Sequence, residues 1–321
     1  MRNQRLLETK NALNIQSLKH LALQIGIKED EISDIALNIK KHYVISEIKQ
    51  TKSDGEVKVR EIYHPSKQLK KLLKAINTHL LKKIKLSAVV HGARKKHSIL
   101  TNAEVHVGKR NLLGFDIKKC FPSIKPYNVF NMFRRLNCSP EIAKCLTRIC
   151  TADNHVPQGY NASPAIANLA LMPLTERLRC LAKKHGQSLS TFIDDITFSG
   201  NDNPAKYSKT IEKIINECGY KLKAEKTVSM KKTQQQKVTG VVVNVKPNID
   251  KKIYQELKKT IHICQKFGPL TMLGKIKNKE GDLIDTSDKL RNHLSGRINY
   301  VNQLNPTKAQ KLREKFNGII W

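Results

Sequence analysis

Apolar residues recur at helical spacing in two short stretches near the start of the chain. Leu18, Leu21, Ala22 and Ile25 form one stripe and Ile32, Ile35, Ala36 and Ile39 the next, which predicts helices over 16–25 and 29–41 broken at Gly26. From Tyr43 the pattern turns to alternation. Tyr43-Val44-Ile45 and Val57-Lys58-Val59-Arg60-Glu61-Ile62 read as the two strands of a hairpin, with Lys52-Ser53-Asp54-Gly55 as its turn. Lys58 and Arg60 share one face of the second strand, where cations are ordinarily just solvated. Over 69–84 the helical period returns, with Leu69, Leu72, Leu73, Ile76 and Leu80 inward and Lys70, Lys71, Lys74, Lys82 and Lys83 outward.

A basic loop, His91-Gly92-Ala93-Arg94-Lys95-Lys96-His97, precedes a helix start at Ser98. Residues 112–117 form a buried-type strand carrying Asp116 near its end, and helices are expected over 127–136 and 139–152. Val156-Pro157-Gln158-Gly159 is a turn. Ser163 and Pro164 then suit the cap and first position of one long helix, 165–181. Thr191-Phe192-Ile193-Asp194-Asp195-Ile196-Thr197-Phe198 reads as a hairpin with two acids at its turn. A helix over 205–217 stops at Gly219, 238–245 reads as a strand, and the last 70 or so residues are helical and basic. The pattern changes divide the chain into an N-terminal helical region (1–42), a unit over 43–110, a central unit over 111–236 with an insertion at about 130–157, and a C-terminal unit over 237–321.

Charge sharpens this picture. The 321 residues carry 59 Lys and Arg against 27 Asp and Glu, a formal net charge of +32. A compact chain with that excess repels itself unless a polyanion offsets it, and nucleic acid is the natural one. The seven cysteines are odd in number and show no Cys-x-x-Cys pair, which argues against a disulfide framework or a zinc site. With no signal-type start and no 18-residue apolar run, the expectation is a soluble cytoplasmic protein with no membrane partner.

An Asp-Asp turn by itself is more often an ordinary polar turn than a metal site. Asp116, Asp194 and Asp195 together are different, because each stands at the end of, or between, strand-like segments. If a sheet gathers them, the three charges need cations. Two divalent ions about 4 Å apart, bridged by such carboxylates, stabilise the attacking and leaving oxygens of phosphoryl transfer. Mg²⁺ suits all-oxygen ligands and keeps waters and phosphates of its own.

The order of the blocks carries a resemblance. Asp116-x-x-x-x-Phe121, Pro157-Gln158-Gly159-x-x-x-Ser163-Pro164, Asp194-Asp195 and Gly219-x-x-Leu222-x-x-x-Lys226-Thr227 resemble the reverse transcriptases motif by motif. Asn102-Ala103-Glu104-Val105-His106 and Val238-Thr239-Gly240 are similar to the Asn-Ala-x-x-His and Val-Thr-Gly elements of bacterial retron reverse transcriptases. The resemblance implies an α+β right-hand polymerase, with fingers at 43–110, an antiparallel palm at 111–236, and a primer grip and helical thumb at 237–321.

It also implies roles. Asp116, Asp194 and Asp195 would hold two Mg²⁺ ions, for which Mn²⁺ could substitute. Phe121 would lie under the sugar of the incoming nucleotide and exclude a 2′-hydroxyl. Gln158 and Gly159 would line the nucleotide pocket, and Arg60 and Lys58 would reach the triphosphate of the dNTP. Lys226 would face the leaving pyrophosphate. Asn102, His106, Val238, Thr239 and Gly240 would contact RNA or primer, and Lys251, Lys252, Lys258 and Lys259 would follow the duplex backbone. The partners implied are a cognate structured non-coding RNA, its DNA product, dNTPs and a separate effector protein in anti-phage defence. Other bacterial reverse transcriptases, of group II intron or abortive-infection type, and an RNA-binding scaffold with an idle site are the alternatives. Three departures stand out: Phe192-Ile193 replaces the usual Tyr-Ala before the acids, Tyr160-Asn161 follows Gln158-Gly159 where small or proline residues are common, and the loop from Gly92 to Ser98 keeps the Gly and Ser of the family's pattern but lacks its usual aromatic.

Overall fold

The Ser17 hydroxyl accepts from His20 N and Gly26 closes the turn at φ +68, which bounds α1, Leu18–Ile25. The structure, a computed structural model, describes residues 12–51, 57–223, 225, 227–278 and 281–321. Helix α2, Glu29–Leu37, opens with Glu29, Asp30 and Glu31, placed where the helix dipole favours acids. Strands β1, Tyr43–Thr51, and β2, Val57–Pro65, pair antiparallel as expected, with Tyr43 opposite Pro65 and Ile48 opposite Arg60. The expected turn Lys52-Ser53-Asp54-Gly55 lies outside the described residues, as does the Lys58 side chain. Ser66 caps α3, Lys67–His79, and a Ser98–Thr101 capping box opens α4, Ile99–Glu104.

The central unit is built on one antiparallel sheet. Strand β3, Asn111–Asp116, is followed by α5, Pro126–Arg135, and α6, Pro140–Cys150. The single long helix expected over 165–181 is instead two, α7, Ser163–Ala170, and α8, Met172–Lys184. Pro173 sits in the first turn of α8, where its missing N–H and its ring end one helix and begin another. The Ser163 hydroxyl does not cap α7 but donates to Pro157 O at 2.6 Å. Strands β4, Ser188–Phe192, and β5, Asp195–Gly200, form the central hairpin. Helix α9, Ser208–Glu217, and strand β6, Val228–Lys231, follow, giving the sheet order β4-β5-β3-β6.

The strand expected over 238–245 is shorter than the pattern suggested. Thr239 and Gly240 both have positive φ, +46 and +83, and turn β7, Lys237–Val238, back on β8, Val241–Val242. Helices α10, Lys251–Phe267, α11, Ser287–Leu304, and α12, Pro306–Asn317, complete the chain. Asp250 caps α10, accepting from Lys252 N at 2.7 Å, and pairs with Lys237 of β7.

Two apolar cores result. The larger joins α1, α2, α3, the sheet and the helices around it through Leu21, Ile32, Leu73, Phe115, Phe133, Leu146 and Phe198. The smaller joins Ala103, Leu112, Val238 and Val241 to Leu257, Ile261, Leu294, Ile298 and Leu312 of the C-terminal helices. No helix among the described residues is long and apolar enough to cross a membrane.

Candidate active site

The β3–β5 register puts Asp116 directly opposite Asp195, and Ile117 N donates to Asp194 O at 3.0 Å. Residues 79 positions apart in the chain thus become cross-strand neighbours at one end of the sheet. Asp116 is buried, while Asp194 and Asp195 are half-buried. The donor set is carboxylate oxygen throughout, which fits a hard divalent cation and no soft one. As the side chains stand, no group of three or more His, Cys, Asp or Glu among the described residues converges on one point for a metal. The backbone delivers the carboxylates to one end of the sheet, and a cation with its own waters and phosphates requires only one or two of them. Cys120 lies beside them but is no competing ligand, since burial and the Asp194 and Asp116 charges push its thiol far up and keep it neutral.

The turn between β4 and β5 is unusual. Phe192 pairs with Asp195, leaving Ile193 and Asp194 as a two-residue loop, and Ile193 has φ +60. Glycine is the usual residue at the first central position of such a turn. An isoleucine there carries about 1–3 kcal/mol of backbone strain, held by what surrounds it.

A second arrangement holds the Gln158-Gly159 loop, which is expected at the nucleotide pocket. Tyr63 N donates to Gln158 O at 2.7 Å, which seats the Gln158-Gly159 loop on β2. The Tyr43 and Tyr63 hydroxyls donate to Asp153 Oδ1 and Oδ2, each at 3.0 Å. Burial and the Asp153 carboxylate raise the Tyr43 hydroxyl to about 12 and push Tyr63 up as well, so both remain donors. Asp153 thereby buckles the root of the β1–β2 hairpin to the segment that carries Gln158. Replacing it by Ala is expected to raise KM for dNTP about fivefold and lower Tm by a few degrees, measured by steady-state titration and calorimetry. An unchanged KM would remove the buckle from the account of this site. Phe121 is half-buried against the larger core, on the single helical turn Cys120–Ser123, and Arg60 is exposed on β2. Lys226 lies outside the described residues.

A family model for reverse transcriptase (RNA-dependent DNA polymerase) matches residues 48–243, more than half of the chain. This chain belongs to the reverse transcriptase family. Its similarity to curated relatives is to retron enzymes. It is 28% identical to the retron Se72 reverse transcriptase of Salmonella heidelberg (strain 579083-10) over 320 residues, covering 97% of this chain and 81% of that one. With the retron Ec86 reverse transcriptase of Escherichia coli the identity is 33% over 214 residues, 66% of this chain and 67% of that one. With the retron Mx65 reverse transcriptase of Myxococcus xanthus it is 29% over 295 residues, 86% and 64% respectively. The chain is a bacterial retron reverse transcriptase with the right-hand polymerase fold, an RNA-directed DNA polymerase. Enzymes of this family work with divalent metal ions, and those of retrons with a non-coding RNA from which they make DNA.

In this reverse transcriptase the two retron elements meet. Asn102 Nδ2 donates to Thr239 Oγ1 at 3.3 Å, so the Asn-Ala-x-x-His element on α4 touches the Val-Thr-Gly turn at the base of the C-terminal helices. The expectation that Asn102 and His106 contact RNA or primer is corrected, since both are fully buried. The His106 ring instead bridges strands β4 and β5, Nδ1 to Ser199 Oγ at 2.6 Å and Nε2 to Ser190 Oγ at 2.7 Å. Burial lowers His106 to about 3, so it is neutral at physiological pH, one nitrogen donating and one accepting. Val238 is buried too, which leaves Thr239 and Gly240 as the part of that element at the surface. Lys251, Lys252, Lys258 and Lys259 are all exposed on α10. Tyr160 is core, with its ring buried, so its bulk does not line the nucleotide pocket. Asp153 and Asn168 have no place in the sequence reading, and Gly92 enters it only as part of a basic loop. The signal for Asn168 was available, as the lone amide in the small apolar run Ser163-Pro164-Ala165-Ile166-Ala167-Asn168-Leu169-Ala170.

Proposed function

We propose that this enzyme reverse transcribes its own cognate structured RNA, priming from a guanosine 2′-hydroxyl and leaving a branched RNA–DNA hybrid. The observation that supports the chemistry is the Asp116–Asp195 register, with Asp194 on the adjoining turn. These three carboxylates hold the divalent ions, Mg²⁺ with Mn²⁺ as a substitute, whose positive charge lowers the cost of charge developing on the phosphoryl oxygens. The priming 2′-oxygen bonds to the α-phosphorus of the first dNTP, the bond to pyrophosphate breaks, and the hydroxyl proton leaves to solvent. Arg60, with Lys58, takes the triphosphate, Phe121 excludes ribonucleotides by filling the space of a 2′-hydroxyl, and Lys226 neutralises the leaving pyrophosphate. The Gln158-Gly159 loop seats the base pair being formed.

We assign 43–110 to the fingers, 111–236 to the palm and 237–321 to the primer grip and thumb. Thr239 and Gly240 meet the primer strand, and the α10 lysines follow the A-form backbone by charge rather than by base. Retron relatives over most of the chain support the further reading that a separate effector protein, restrained by the enzyme and its hybrid, completes an anti-phage module in the cytoplasm.

The test is to express the locus with its flanking DNA and extract nucleic acid. A short DNA that stays joined to RNA until a 2′-5′ debranching step is the expected product. Free DNA at good expression, with no branched form, would overturn the priming reading.

A further inference from the structure

The strained Ile193 turn is held by groups from two distant parts of the chain. Residues 89–92 run parallel beside β4: Thr191 N donates to Val89 O at 2.7 Å and His91 N donates to Thr191 O at 2.8 Å. Gly92 then comes so close to the turn that a Cβ on it would stand 2.7 Å from Ile193 N, 2.8 Å from Ile193 Cγ1 and 3.0 Å from the Phe192 carbonyl carbon. Only the absence of a side chain allows that approach. The Gly92 carbonyl in turn accepts from Asn168 Nδ2 at 2.8 Å. Asn168 is buried on α7, where an amide without partners would be costly. Five residues earlier on the same helix, the Ser163 hydroxyl holds Pro157 O at the root of the Gln158-Gly159 loop.

We propose that Asn168 is a positioning residue: acting through Gly92, it pins the Phe192–Ile193 peptide and so sets where Asp194 and Asp195 stand. Helix α7 then works as a rigid bar, with the nucleotide loop fixed at its N-terminal end by Ser163 and the catalytic turn fixed by Asn168. The bar keeps a constant relation between nucleotide and carboxylates. The catalytic half of this proposal rests on reading Asp194 and Asp195 as metal ligands, whereas the clamp itself does not.

The test uses Asn168→Leu, which keeps the shape and removes the donor, with Asn168→Ser as the second variant should the first not fold. Hydrogen exchange of the metal-free, RNA-free protein reads the clamp. Amides across 188–198 are expected to exchange about tenfold faster, while those of α10 keep their wild-type rates. In primer extension, the Mg²⁺ concentration for half-maximal rate is expected to rise about fivefold, with KM for dNTP at saturating Mg²⁺ within about twofold of wild type. Wild-type exchange across 188–198, or faster exchange spread evenly over sheet and thumb, overturns the clamp. Faster local exchange with an unchanged Mg²⁺ dependence overturns the positioning role. Activity surviving in an Asp194→Asn, Asp195→Asn enzyme would strike at the metal reading instead and leave the exchange result standing.

Discussion

Changing Asp194 and Asp195 together to Asn is expected to lower DNA synthesis by about 10³-fold or more while leaving RNA affinity within about twofold of wild type. The separation follows from where each kind of charge sits. The two carboxylates stand at one end of the sheet beside Asp116, and their only proposed work is to hold cations at the reacting phosphate. Affinity for RNA comes from a chain of net charge +32, and the loss of two acids changes that little. Amide for carboxylate is nearly isosteric at two half-buried positions at the end of the β4–β5 hairpin, so Tm should stay within about 2 °C. Extension of a labelled primer, filter binding of the cognate RNA and calorimetry on the same preparation check the three parts. DNA synthesis near wild-type level would end the carboxylate account of this site.

The second large effect is expected at Gly159. Its φ is +114, a region L-residues rarely adopt, and a Cβ there would lie 2.2 Å from Tyr63 O and 3.1 Å from Tyr63 N and C. Those are backbone atoms of β2, so nothing flexible can yield. Gly159→Ala must either pull the loop off the hairpin, breaking the Tyr63 N to Gln158 O bond, or displace the root of the hairpin, which Asp153 holds. Either way Gln158 loses its place relative to Arg60. We expect kcat/KM for dNTP to fall about 100-fold and Tm to fall by about 5 °C, a strain of a few kcal/mol spread over a chain of this size. Steady-state kinetics on a homopolymer template and a melting curve read both quantities. An alanine enzyme with wild-type kcat/KM would show that the loop and hairpin can separate without harm to the nucleotide pocket.

Much of the fold was readable from local pattern, and the misreadings have definite causes. The paired helices at the start and the first hairpin emerged from periodicity, because a stripe of Leu and Ile at spacing three and four has few other ways to be buried. The helix expected over 165–181 is two helices because Pro173 lies inside an apolar run whose hydrophobicity continues across the break. The strand over 238–245 failed because β-branched residues on either side of Thr239-Gly240 hide a turn of two left-handed residues. Asn102 and His106 were recognisable as special and were given the wrong neighbours. A polar residue singled out in a sequence can face solvent or fill a buried hydrogen-bonding site, and only burial tells the two apart.

By itself, the sequence determined the family, and it singled out three aspartates and a polyanionic partner as expectations, since each is a matter of residue identity and order. The tertiary structure alone decided which residues hold those aspartates in place. Asp116 and Asp195 become neighbours through strand register. The Ile193 turn is backed by Gly92 and Asn168, His106 braces the hairpin through Ser190 and Ser199, and Asp153 ties the first hairpin to the Gln158 loop. These contacts join residues 76 to 110 positions apart by single hydrogen bonds or a missing Cβ. Such pairings leave no periodic trace along the chain, because their partners are chosen by how the layers stack and not by what lies next in sequence.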